Sequence, residues 1–190
     1  MGEDDLTCAL GERIVSSVLP SWSAAAPTVN TRGVTKLVHA FPRYAQFAQN
    51  LAHVLCIADS DGKCPAGLLA QWLPKGRPAR LLLRLAVSEG ESWALGDRNG
   101  LATFFQVPLS AVPIAPDELM DAKGELLKIA RRSRNRRLRD EMLSSFAADR
   151  QGAGYNVHLK RFIATIWNPI IADQHSPSLH RAMERVRALS

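Results

Sequence analysis

Residues 53–62 read HVLCIADSDG, an apolar run that ends in two acids one residue apart, Asp59 and Asp61. Consecutive apolar, partly β-branched residues followed by a loop of Gly, Lys and Pro specify a strand buried on both faces, as a central parallel strand is. Asp59 and Asp61 then stand at its carboxyl end, where open α/β sheets leave the crevice in which ligands bind. Side chains two apart on an extended segment point the same way, so both carboxylates address one point in space. Taken alone, the same D-x-D-G is also a good turn, since Asp and Gly favour turns and caps.

Downstream, Pro65 is a good first helical residue for PAGLLAQWL, which ends near Pro74. A loop at 75–80 leads to a second apolar strand at 81–87, LLLRLAV, which also runs out into acids, Glu89 and Glu91, followed by Trp93. Two neighbouring strands that each deliver a pair of carboxylates are hard to explain as turn chemistry twice over. Upstream, residues 36–52 read as a helix interrupted or started near Pro42. Helix followed by buried strand is the α/β rhythm. Residues 4–19 place Leu6, Leu10, Ile14, Val15 and Val18 at near-helical spacing behind an acidic start that caps a first helix. Residues 25–32, AAPTVNTR, have weak strand character.

From residue 97 the strand signal disappears. Helices are expected from Asp97 to near Phe105, over 121–132, over 135–146, over 157–167 and after the Ser176-Pro177 cap, with short turns between. Their apolar stripes are core. The expected architecture is a single α/β domain: a short, mainly parallel sheet with helices on both faces over 1–96, and a helical half over 97–190 packed on the same domain.

An apolar fraction of 46% and a charged fraction of 22% exclude a disordered chain. No apolar run is long enough for a spanning helix, and the start MGEDD lacks the apolar region of a signal peptide, so a cytoplasmic location is expected. Cys8, Cys56 and Cys64 form no C-x-x-C, and the five histidines form no ligand pair, so zinc and structural disulfides are not expected. The net charge of +6 comes mostly from 131–139, RRSRNRRLR.

Carboxylates converging without His or Cys make a hard-oxygen site suited to Mg²⁺ or Mn²⁺. Two such ions about 3.5–4 Å apart stabilise the attacking and leaving oxygens of phosphodiester cleavage. The basic residues Lys128, Arg131, Arg132, Arg134, Arg136, Arg137 and Arg139 fit the same substrate, because Lys and Arg neutralise phosphates without reading sequence. A solvated helix face, or a contact with an acidic partner protein, accounts for them equally in kind. The chain has no P-loop.

The order of an early acid after Gly, a strand ending in D-x-D and a strand ending in E-x-E resembles the Toprim domain of topoisomerases, primases and nucleases of the overcoming-lysogenization-defect type. The stretches at 84–113, 116–140, 154–163 and 176–189 resemble bacterial proteins of the DUF4276-like group, which is defined by sequence and not by a reaction. The resemblance implies a Toprim-like sheet and a Mg²⁺-dependent nuclease. It implies Glu3 as general acid or base, Asp59 and Asp61 as metal ligands, and Glu89 or Glu91 in support. It also implies an ATPase partner of ABC or SMC type in an anti-phage pair. One departure stands out: only Met1 and Gly2 precede Glu3, so no strand is expected to support it, and Asp5 is the alternative occupant. Loss of that support motivates the other reading, a catalytically silent binding or regulatory subunit.

Overall fold

Alternation along two apolar runs sets up the architecture. In the computed structural model, which describes residues 1–73, 75–147 and 150–189, they form strands β1 (Val54–Asp59) and β2 (Leu81–Ala86), paired in parallel from Val54 opposite Leu81 to Asp59 opposite Ala86. Helices α1 (Asp5–Val18) and α2 (Val34–Asn50) precede the strands, and α3 (Pro65–Trp72) forms the crossover between them. The chain is therefore α/β, as its sequence suggests.

Asp4 starts α1 by reciprocal capping: its carboxylate accepts the Thr7 amide at 2.8 Å, and Thr7 Oγ1 accepts the Asp4 amide at 3.0 Å. Helix α2 runs through Pro42 without a break. Proline removes one backbone donor, but the burial of Leu37, Phe41 and Ala48 along one face holds the helix together across it.

Residues 1–3 lie in the sheet. The Glu3 amide donates to Ile57 O and the Ile57 amide to Met1 O, both at 3.1 Å, while on the other side the Gly2 amide donates to Val29 O at 3.0 Å. Gly2 bridges Ile57 and Asn30, both in parallel. Glu3 thus has the backbone support that its nearness to the start of the sequence argues against. Three residues suffice because another segment of the same chain lies on each side of them. The weak strand character of 25–32 contracts to the bridge at Asn30.

Each face of the sheet closes a separate core. Val54, Cys56, Ala58, Leu81, Leu83 and Leu85 pack with Leu37, Phe41 and Ala48 of α2 and Leu68 of α3. Ile57 and Ala86 face the other way, into a larger core with α1 and the carboxyl-terminal helices. These are α4 (Gly90–Gly96), α5 (Arg98–Phe105), α6 (Ala122–Arg131), α7 (Arg136–Met142), α8 (Tyr155–Thr165), α9 (Pro169–Ala172) and α10 (Pro177–Arg187), with single 3₁₀ turns at Leu109–Ala111 and Pro116–Glu118. This core takes in residues from Leu6 to Val186, so the first helix and the last share one interior. Its centre is tied by polar bonds: Trp93 Nε1 donates to Ser178 Oγ at 2.7 Å, and Trp167 Nε1 to the Trp93 carbonyl at 3.1 Å. No helix among the described residues is long and apolar enough to cross a membrane.

Gly2 is where residues 1–3 pass closest to α1. A Cβ there would lie 2.6 Å from the Cys8 amide nitrogen and 2.6 Å from Thr7 Oγ1. Gly2→Val is expected to cost about 1–3 kcal/mol by overpacking and to lower the midpoint of thermal unfolding, followed by circular dichroism, by several degrees.

Candidate active site

Asp59 ends β1 on the same face as Ile57, toward the larger core, because the two are one alternation apart. Its Oδ1 accepts the Gly90 amide, at the start of α4, at 2.8 Å. The backbone of β1 brings Glu3 alongside, and Glu3 Oε2 accepts the Asp59 amide at 3.2 Å. Helix α4 carries Glu91 into the interior, where its Oε1 accepts the Tyr155 hydroxyl at 2.8 Å. Glu89 caps the same helix from outside and accepts the Lys123 amide, at the start of α6, at 2.8 Å. Each carboxylate is therefore held by a donor from another element.

Carboxylates dominate the electrostatics of this corner, with the Lys123 ammonium, 5.3 Å from the Tyr155 ring, opposing them at Glu91. Burial pushes the Asp59 carboxyl up to about 9, with the charges of Glu91, Glu3 and Asp4 adding to it and the Gly90 amide opposing. Glu3 is raised by burial, eased by its bond from the Asp59 amide, and raised again by Asp61 and Asp4. Glu91 is raised by burial; the Tyr155 bond lowers it, Glu89 raises it, and Lys123 lowers it. Tyr155 is pushed well above the usual phenol value, first by burial and then by Glu91. No salt bridge joins Glu3, Asp59, Glu89 or Glu91 to a Lys or Arg among the described residues.

The residues singled out in the sequence are only partly brought together. Asp61 lies beyond β1 in a turn, with φ of 47° followed by 70° at Gly62, and is exposed. Alternation requires extended backbone, so Asp61 does not share the direction of Asp59, although its charge reaches Glu3. Glu89 and Glu91 also leave the sheet: β2 stops at Ala86, and one acid caps a helix while the other is inside it. Among the described residues no group of three or more His, Cys, Asp or Glu side chains is arranged to enclose a metal ion. The donor set nevertheless suits a hard divalent cation: it is all carboxylate, crowded and partly buried. Tyr155, Lys123 and Gly90 carried no local signal. Tyr155 is 64 residues from the acid it holds, and only the packing of α8 brings it there.

The basic segment lies at the far end of α6, a helix about 15 Å long, and on α7. Arg137 pairs with Glu141 at 2.8 Å, Arg136 and Arg139 pair with Asp140 at 3.5 and 3.4 Å, and Lys128 pairs with Glu125 at 2.9 Å. Arg131, Arg132 and Arg134 are exposed. A shallow groove of about 340 Å³ is lined by Asp121, Lys123, Gly124 and Leu127 at the start and middle of α6 and by Arg150 and Gln151. Comparison of the chain with protein-family models, with curated proteins and with solved structures gave no match.

Two outcomes follow from the buried acids. A carboxyl whose pKa rises on folding contributes stability that is fully present below its unfolded value, near 3.8, and is lost as pH climbs toward about 9. In metal-free buffer the melting temperature is expected to fall between pH 5 and pH 9, and Asp59→Asn should flatten the fall and stabilise the protein at pH 8. Tyr155→Phe leaves Glu91 without its donor; chemical denaturation at pH 7 is expected to show a loss of about 1–3 kcal/mol.

Proposed function

We propose that the corner formed by Glu3, Asp59, Glu89 and Glu91, with Asp61 at its rim, binds Mg²⁺ or Mn²⁺ and hydrolyses phosphodiester bonds of a nucleic acid. The observation that carries this reading is Asp59: a carboxyl at the end of a parallel strand, crowded by Glu3 and Glu91, with no cationic side chain paired to it among the described residues. Carboxylates brought this close favour either a proton or a cation. When bound, a divalent ion supplies charge stabilisation at the scissile phosphate and a more acidic water.

The chain's own residues divide the remaining work. Asp59, Glu91 and Glu89 are the candidate metal ligands, and the Gly90 amide, Tyr155 hydroxyl and Lys123 amide hold them in place. Glu3 is raised above the usual carboxylate value by burial and keeps part of its surface in solvent, which suits a group that takes or gives a proton. Lys128 and the arginines at 131, 132, 134, 136, 137 and 139 offer charge for the rest of the strand. The resemblance to Toprim nucleases supports the same reaction class and an ABC- or SMC-type ATPase as partner in an anti-phage system.

One observation favours a second reading. Every carboxylate here already accepts a bond from a backbone amide or hydroxyl, which is also how a silent binding subunit would retain acids as helix caps. Labelled DNA and RNA incubated with Mg²⁺ or Mn²⁺ separate the two. Cleavage by the wild type is expected, falling at least about 100-fold in Asp59→Asn and Glu3→Gln, together with calorimetric metal binding that vanishes in Asp59→Asn. Equal cleavage by wild type and Asp59→Asn would sink the assignment; absence of both cleavage and metal binding favours the silent subunit.

A further inference from the structure

A second charged group lies on β2, on the face covered by α10 and outside the segment 131–139. Alternation turns Leu81, Leu83 and Leu85 toward the smaller core and Ala86 toward the larger one, so Arg84 lies on the side of α10, which packs along this strand. On α10, Arg181 and Arg185 are exposed and one turn apart, flanking the buried stripe of Leu179, Ala182, Met183 and Val186. Arg77, in the loop before β2, acts on Arg84 through its charge. Arg84 is half-buried and donates from Nε to its neighbour's carbonyl, Leu83 O, at 2.6 Å. Its pKa is lowered by burial and then by Arg185, Arg77 and Arg181. No ion pair among the described residues reaches these four arginines.

A partly desolvated guanidinium on β2, packed under α10 with three more arginines acting on it and no ion pair reaching any of the four, suits an anion from outside the chain. We propose that Arg77, Arg84, Arg181 and Arg185 form a docking surface for the phosphate backbone of a nucleic-acid strand. Arg181 and Arg185 are about 6 Å apart along the helix axis, a spacing suited to consecutive phosphates, and guanidinium forks bind phosphate oxygens in pairs. A strand carries one charge at every nucleotide, a density that four clustered cations match better than a mixed protein surface does. The choice of nucleic acid rests on the reading of the acidic corner, but binding here needs no metal.

Anisotropy of a labelled single-stranded oligonucleotide, titrated in EDTA over a salt series, tests the surface. Arg181→Gln/Arg185→Gln is expected to bind at least about tenfold more weakly, with the salt slope reduced by about 1.4, or 0.7 for each lost phosphate contact. Its circular dichroism should be unchanged, since both positions are exposed. Lys36→Gln/Arg43→Gln, on α2 across the sheet, removes the same charge and should bind like wild type. Wild-type affinity in the α10 variant overturns the proposal, as does an equal loss in the α2 control. So does polyglutamate that displaces the oligonucleotide as well as unlabelled strand does, which would identify an acidic protein as the partner. A metal-free binding loss in a protein that never cleaves leaves this surface standing and removes the nuclease reading; cleavage without the binding loss does the reverse.

Discussion

Like charges at the end of β1 are held together against their own repulsion, and the starts of four helices are spent on doing so. Asp4 begins α1, the Gly90 amide at the start of α4 binds Asp59, the Lys123 amide at the start of α6 binds Glu89, and Tyr155 at the start of α8 binds Glu91. Helix amino termini present unpaired donors and a positive dipole end, so they are the backbone features best able to face carboxylates; at α8 the donor is instead the Tyr155 side-chain hydroxyl. What they supply is incomplete. Asp59 remains pushed up to about 9 because burial removes more solvation than one amide returns. This unfinished compensation sets Asp59 apart from an ordinary helix cap.

The narrow sheet explains how so many elements reach one point. Residues 1–3 lie beside β1, and β2 lies on its other side, all parallel, so their carboxyl ends open in one direction. The larger core then fixes α1, α4 and α8 over that end, with Trp93 and Trp167 bonded inside it. Buried indoles with satisfied N–H groups leave little freedom for the helices to shift. The positions of the acids are thus a property of the packed interior, not of the loops that carry them.

The positive charge of the chain is not one patch. The residues that dominate the count at 131–139 are partly offset by Asp140 and Glu141 on the same helix, at distances of 2.8–3.5 Å. The arginines around β2 and α10 are fewer, and no ion pair among the described residues reaches them. Exposed pairs within one helix are weak, so phosphate can still compete for Arg136 and Arg137. The isolated group has no such competition to meet.

Local pattern alone was enough for the two parallel strands, their order, the Pro65 helix start, the Ser176-Pro177 cap and the α/β class, because apolar run length and capping chemistry act within a few residues. It also singled out Asp59, which the structure buries beside Glu3 and Glu91. It misjudged how Glu3 is held, since strand support was sought before that residue and came instead from chain on either side of it at Ile57 and Val29. It treated Asp61, Glu89 and Glu91 as strand-end acids, where backbone that leaves the extended form after Asp59 and Ala86 sends each a different way. Tyr155, Lys123 and the arginine group around Arg84 were illegible. The sequence by itself determined which residues are apolar, where helices begin and that acids follow the strands. Only the tertiary structure decided which charges meet, because repulsion and hydrogen bonding act over ångströms in space between residues that the chain keeps dozens of positions apart.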